Sequence, residues 1–172
     1  MIEAFTDVLR ANQDYVTSYR DRHLEGRAAR GLAVITCMDS RIDPLAMLGL
    51  DKGDAKILRN AGARVTEDVL RTLVLAVHLL GVRRVMVVAH TDCRMAKVTD
   101  EQVHADILTG SGVDTRSLDF GAISDQSAVL ARDVRKIRSS PYLPADLAVI
   151  GCIYDIRTGE LSVEVGDPAA QS

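Results

Sequence analysis

Apolar and polar positions along the chain alternate between helix-like and strand-like spacing. Residues 2–20 carry Ile2, Phe5, Val8, Leu9, Tyr15, Val16 and Tyr19, most of them on one helical stripe, which predicts an N-terminal helix. A charged connector follows over residues 20–30. Gly31 then opens a short apolar run to Thr36 that reads as a buried strand. Residues 44–48 suit a short helix with Pro44 in its first turn. Residues 55–59 read as a second strand, closed by the loop Asn60-Ala61-Gly62-Ala63.

Thr66, Glu67 and Asp68 form a helix start, and the helix runs through Leu80 to stop at Gly81. Its apolar residues continue almost all the way round, so more than one face is expected to be covered, the second by another subunit. His78 within it reads as a core or interface histidine. Residues 84–89 are the clearest buried strand, and residues 147–154 are another. Between them stand helices over 96–109, with Val103, Ile107 and Leu108 on the buried side, and over 124–138. Gly110 to Asp119 forms a loop expected to be mobile or variable. Residues 161–165 alternate as an edge strand returning antiparallel after the turn at Gly159. The pattern predicts an α/β fold: a mainly parallel sheet of four strands with an antiparallel edge strand, flanked by helices, and an N-terminal helical arm. The expected organisation is an arm and connector over residues 1–30, a catalytic domain over 31–166 and a disordered tail over 167–172.

At 172 residues the chain is long enough for a single domain with a substantial core. A net charge of −3 argues against nucleic acid or anionic lipid as generic partners. No apolar run is long enough to cross a bilayer. The start of the chain carries Glu3 and Asp7 instead of a basic, then apolar, leader, so a cytoplasmic location is expected. Three widely spaced cysteines suggest reduced thiols, with Cys152 a plain core residue. His23 and His104 read as solvent-facing.

The chemistry concentrates at two strand ends. The first delivers Cys37-Met38-Asp39-Ser40-Arg41, where alternation puts Cys37, Asp39 and Arg41 on one side. The third delivers His90-Thr91-Asp92-Cys93. Each fragment alone is a common accident, but together they bring two thiolates and an imidazole to one point of a parallel sheet. That donor set suits one Zn²⁺ per chain with a fourth position open. If Asp39 also binds, the metal has four protein ligands and no free position. If Asp39 pairs with Arg41, a water can take that position and ionise near neutral pH.

Cys37–Arg41, then Arg59-Asn60-Ala61-Gly62-Ala63, then His90–Cys93 resemble the three signature blocks of the β-class carbonic anhydrases, in the family's order and spacing. The resemblance implies zinc on Cys37, His90 and Cys93, with Asp39 and Arg41 as the catalytic pair. It implies reversible hydration of CO₂ to bicarbonate and a proton by attack of zinc-bound hydroxide. Asn60, Ala61 and Gly62 would line the substrate side, with a backbone N–H near Gly62 facing the bound anion. It further implies a homodimer, or a homotetramer built from dimers, with the N-terminal helix laid over the neighbour. Arg94 departs from the family's usual glycine after the last ligand. That leaves room for one alternative, the same zinc chemistry acting on CS₂ or COS; a second is a non-catalytic relative in which Asp39 stays on a structural zinc. With no tryptophan in the chain, no allosteric bicarbonate pocket of the kind seen in some relatives is expected.

Overall fold

The computed structural model describes residues 2–21 and 23–166; the expected disordered tail lies outside the described residues. A 3₁₀ turn, Ile2–Phe5, leads into α1 (Thr6–Ser18). The chain continues through β1 (Leu32–Cys37), β2 (Ala55–Asn60), α2 (Glu67–Leu79) and β3 (Arg84–His90). It closes with α3 (Asp100–Ser111), α4 (Gln126–Arg138), β4 (Ala148–Tyr154) and β5 (Leu161–Val165). The strands form one sheet in the order β2-β1-β3-β4-β5, parallel except for the antiparallel pair β4–β5.

This order follows from which strands must be buried on both faces. Every residue of β1 is buried, and β1 lies between β2 and β3. Ala33 and Ile35 face a core built with Val69, Leu73 and Ala76 of α2 and Val134 and Ile137 of α4. Leu32 and Val34 face the other way, with Val88 and Cys152, against Met47, Leu48 and Leu50. The chain leaves β1 for β2 on one side and later returns to β3 on the other. The carboxyl ends of β1 and β3 therefore meet at the point where an open parallel sheet forms its ligand crevice.

Helix boundaries follow from caps. Thr66 accepts the Val69 N–H at 3.3 Å to start α2. Asp125 accepts from Ala128 at 3.0 Å, so α4 begins at Gln126, two residues after the expected start. α3 begins at Asp100 and not at 96, because Thr99 and Gln102 form a reciprocal capping box there, while residues 94–96 are a separate 3₁₀ turn. Its expected buried side is only partly covered: Val103 and Ile107 are half-buried and Leu108 is exposed.

Three further expectations change. Within the single chain His78 is exposed, which removes the core half of its expected placement and leaves the interface half standing as an expectation; its Nε2 donates to the Tyr142 carbonyl at 2.9 Å. Gly110 and Ser111 complete α3, which shortens the expected loop to residues 112–119, and the segment just after it is tied down. Asp100 accepts the N–H groups of Phe120 at 2.9 Å and Ala122 at 2.8 Å. His104 takes part in this anchoring and is not solvent filler: its Nδ1 lies 3.0 Å from the Thr115 hydroxyl and its ring packs 5.3 Å from that of Phe120.

α4 sits close on the sheet because β4 offers it a glycine. A Cβ on Gly151 would lie 3.0 Å from both Leu130 Cγ and Val134 Cγ2. Gly151→Ala is therefore expected to destabilise the fold by about 1–3 kcal/mol through overpacking, measured by urea unfolding.

Candidate metal centre

Cys37 ends β1, His90 ends β3, and Cys93 lies one turn further on. All three are buried, at 5%, 1% and 3% exposure. One donor atom from each falls within 4.8 Å of the other two. The His90 ring is fixed by its neighbour: Nδ1–H donates to the Thr91 carbonyl at 2.8 Å, and a carbonyl oxygen only accepts. Nε2 is thereby turned to the two sulfurs, buried and with no hydrogen-bond partner of ordinary geometry. A buried nitrogen lone pair aimed between two thiols is what a metal ligand requires. Gln126 supports the strand end by donating to the His90 carbonyl at 2.8 Å.

The two thiols share their protons unequally. The Cys93 thiol, the His90 ring and the backbone N–H groups of Gly62 and Asp39 all favour a thiolate at Cys37, against the opposing effect of burial. The Cys37 thiolate, with burial, pushes Cys93 up. Burial alone would lower His90, but the adjoining Cys37 thiolate outweighs it and raises the imidazole above its ordinary value.

Asp39 stands beside this cluster and outside it. Its Oδ1 accepts from Arg41 Nε at 2.9 Å and Oδ2 from Arg41 Nη2 at 2.7 Å, a two-pronged pair closed by the Arg41 backbone N–H at 3.0 Å. These bonds hold its carboxyl well below the usual carboxylate range. Asp39 Oδ2 still lies only 4.0 Å from His90 Nε2. Arg59 fixes the backbone beneath, donating from Nε to the Cys37 carbonyl at 2.9 Å and from Nη2 to the Asp39 carbonyl at 2.7 Å. Backbone and side chain of Asp39 are thus held separately, the carbonyl by Arg59 and the carboxylate by Arg41.

The loop after β2 forms the adjoining wall. Asn60 spends its polar atoms closing that loop, with Oδ1 accepting from Arg64 N at 2.8 Å and Nδ2 donating to the Arg64 carbonyl at 2.7 Å. Gly62 has φ +78° and sits where a Cβ would come within 3.0 Å of Ile123 Cδ1. Its N–H faces the Cys37 sulfur. Arg64 then ties the loop to the rest of the fold, donating to Asp133 of α4 at 2.8 Å and to the Gly121 carbonyl at 3.0 Å. Ala61 and Asn60 also border a cavity of about 570 Å³ on the outer side of the loop, but none of the three cluster residues lines it. Arg94 turns away toward Asp106, 3.4 Å off, and does not obstruct the centre.

Several of these residues carry weak sequence signals. Asp133 could have been suspected, since it is a charged residue among Leu130, Val134 and Ile137 on a buried helix face. Asp92 and its partner Lys97 had no such marker; Asp92 accepts from Arg41 Nη1 at 2.8 Å and also pairs with Lys97. Between them the two cations hold its carboxyl at about 2.

Two soft sulfur donors and one imidazole suit zinc, and their seat at a sheet's switch point makes the protein an α/β metalloprotein with a carboxylate in reserve beside the metal position. Comparison with known proteins narrows that class. The carbonic anhydrase family profile matches residues 32–161. β-Carbonic anhydrase 1 of Mycobacterium tuberculosis is 32% identical over 156 residues, covering 91% of this chain and 94% of the relative. A carbonic anhydrase from Streptococcus mutans superposes with a TM-score of 0.86 at 37% identity, covering 92% of this chain and 96% of that one. A carbon disulfide hydrolase of Acidianus is 31% identical, over 77% of this chain and 76% of its own length. The chain belongs to the β-class carbonic anhydrases, a family of zinc enzymes.

Metal uptake should depend on pH in a defined sense. Cys93 and His90 both hold protons above their ordinary values, and each proton must leave before its atom can bind. Zinc affinity is expected to fall as pH falls, with net proton release on uptake at pH 7. Titration calorimetry in buffers of different ionisation enthalpy measures that release, and uptake without it would contradict the assignment.

Proposed function

We propose that this protein catalyses the reversible hydration of carbon dioxide to bicarbonate and a proton, with zinc held by Cys37, His90 and Cys93. The chemistry zinc supplies at three such ligands is to lower the pKa of a coordinated water to about 7. The observation that carries the reading is the two-pronged hold of Arg41 on Asp39, which keeps the carboxylate off the metal position. So held, Asp39 is an acceptor-only group at the edge of the cluster. It accepts a hydrogen bond from the attacking oxygen and aims that oxygen's free lone pair at the substrate carbon. Water first gives up one proton to solvent; the oxygen, keeping its second proton toward Asp39, then bonds to the carbon, one C=O electron pair moves onto its oxygen, and bicarbonate leaves with that second proton. Arg41 positions Asp39 and keeps it ionised. The loop Asn60-Ala61-Gly62 walls the substrate side, offering backbone because Asn60's side chain is engaged in the loop.

The non-catalytic alternative needs Asp39 on the metal, and its pairing with Arg41 speaks against that. The alternative of CS₂ or COS as substrate uses the same centre, and turnover of CO₂, CS₂ and COS side by side decides it. Loss of zinc together with CO₂ hydration is expected in Cys37→Ser and His90→Ala. Asp39→Asn should keep its zinc and lose about 100-fold or more in kcat. Parent-level hydration by zinc-free protein would end the proposal.

We also infer that the working unit is a homodimer, or a homotetramer of such pairs, in the cytoplasm. Ile2, Phe5, Val8, Leu9 and Val16 are each more than half exposed, and α1 buries no residue within its own chain. A stripe of this size calls for a partner surface. The three cysteines are unpaired, which suits a reducing compartment. Val8→Asp combined with Leu9→Asp is expected to shift the protein toward monomer in sedimentation velocity, while leaving its zinc in place.

A further inference from the structure

We propose that Asp92 is a positioning residue for the reaction: its carboxylate fixes the guanidinium of Arg41, and through it the carboxylate of Asp39. The inference rests on the reading of Asp39 and Arg41 given above.

The backbone poses the question. Among the described residues, Asp92 and Ala63 are the only non-glycine positions with positive φ, and both border the metal centre. At φ +60° glycine is the residue that fits without steric cost, and aspartate is merely tolerated. The turn between His90 and Cys93 therefore gives no backbone reason to prefer aspartate.

The side chain supplies one. Arg41 presents a planar fork with two usable edges. One edge, Nε and Nη2, holds Asp39. The outer nitrogen, Nη1, reaches Asp92 Oδ2 at 2.8 Å, and Nη2 lies 3.4 Å from the Asp92 carbonyl. Asp92's other oxygen is engaged by Lys97. The result is a row of alternating charges, Lys97–Asp92–Arg41–Asp39, with Asp92 anchored in a turn whose two ends are candidate metal ligands. A guanidinium held by one carboxylate can rock about that pair, whereas one held on two sides keeps its plane. The side chains of Arg41 and Asp92 are 48% and 36% exposed, where ion pairs contribute little to folding. The value of the contact lies in geometry: small misplacements at a reacting centre cost rate steeply.

The test uses zinc-loaded protein with Asp92→Gly, Asp92→Asn and, as a reference, Arg41→Met. Glycine suits the left-handed backbone, so Asp92→Gly should keep or raise the Tm and retain one zinc per chain. Its kcat for CO₂ hydration is expected to fall about tenfold with KM little changed, the scale of losing a partner that orients a metal-site group. Asp92→Asn should move kcat in the same direction. In ¹⁵N–¹H spectra, of zinc-loaded and zinc-free protein alike, the Arg41 Nε–H should exchange with water faster once Asp92 is replaced. A purely structural turn residue would move neither kcat nor that exchange rate in a glycine variant that folds well. Parent-level kcat and exchange in Asp92→Gly would overturn the proposal, as would loss of zinc in both Asp92 variants. If Arg41→Met is impaired while the Asp92 variants are not, only the role of Asp92 fails. If Arg41→Met matches the parent, the reading of the Asp39–Arg41 pair fails instead.

Discussion

The centre depends on the register of β1 against β3. Thr36 lies opposite Val88, so β1 ends one residue short of β3 and Cys37 comes within reach of His90 and Cys93. Strand residues advance about 3.3 Å each and alternate in side. A slip of one residue would turn Cys37 to the wrong face, and a slip of two would carry it about 7 Å away, beyond any shared ligand. What prevents slippage is ordinary burial. β1 has no exposed residue, so any other register would bring Ala33, Ile35, Leu32 and Val34 against the wrong cores. The hydrophobic effect thereby fixes a geometry that the ligands themselves could not select.

Around that frame, polar groups set the chemistry. His90 is oriented by a backbone carbonyl, so its donor lone pair is defined before any metal arrives. Arg59 holds the carbonyls of Cys37 and Asp39, while Arg41 holds the Asp39 carboxylate. Arg64, paired with the buried Asp133, ties the loop facing the Cys37 sulfur to α4 and to residue 121. Asp92 and Lys97 are solvated and adjust direction more than stability.

Much of this was legible in the sequence because parallel strands buried on both faces read as continuous apolar runs. β1, β3 and β4 do so, and the chemically rich residues follow directly after two of them. The cluster Cys37, His90 and Cys93 could thus be assembled from spacing and strand order. The partner chosen by Asp39 could not, since it turns on side-chain positions a few ångströms apart. Nor could the Arg64–Asp133 pair, whose members stand far apart in the chain and meet only when α4 lies on the sheet. The start of α3 was written in Thr99 and Gln102, but the 3₁₀ turn at 94–96 mimics a helix's first turn and hides the cap. Nor could periodicity say that His78 lies outside the chain's own core, because α2 is apolar nearly all round.

The long excursion between β3 and β4 divides into two parts of unequal consequence. α3 contributes no buried residue, while the segment that follows reaches the centre where Ile123 packs on Gly62 and donates its N–H to the Met95 carbonyl at 2.7 Å. Length and sequence can therefore drift through much of residues 101–118 without disturbing the metal position, as surface insertions cost little closure entropy. Residues 120–123 have no such freedom. Differences in size among proteins sharing this fold should accumulate in the first part and stop short of the second.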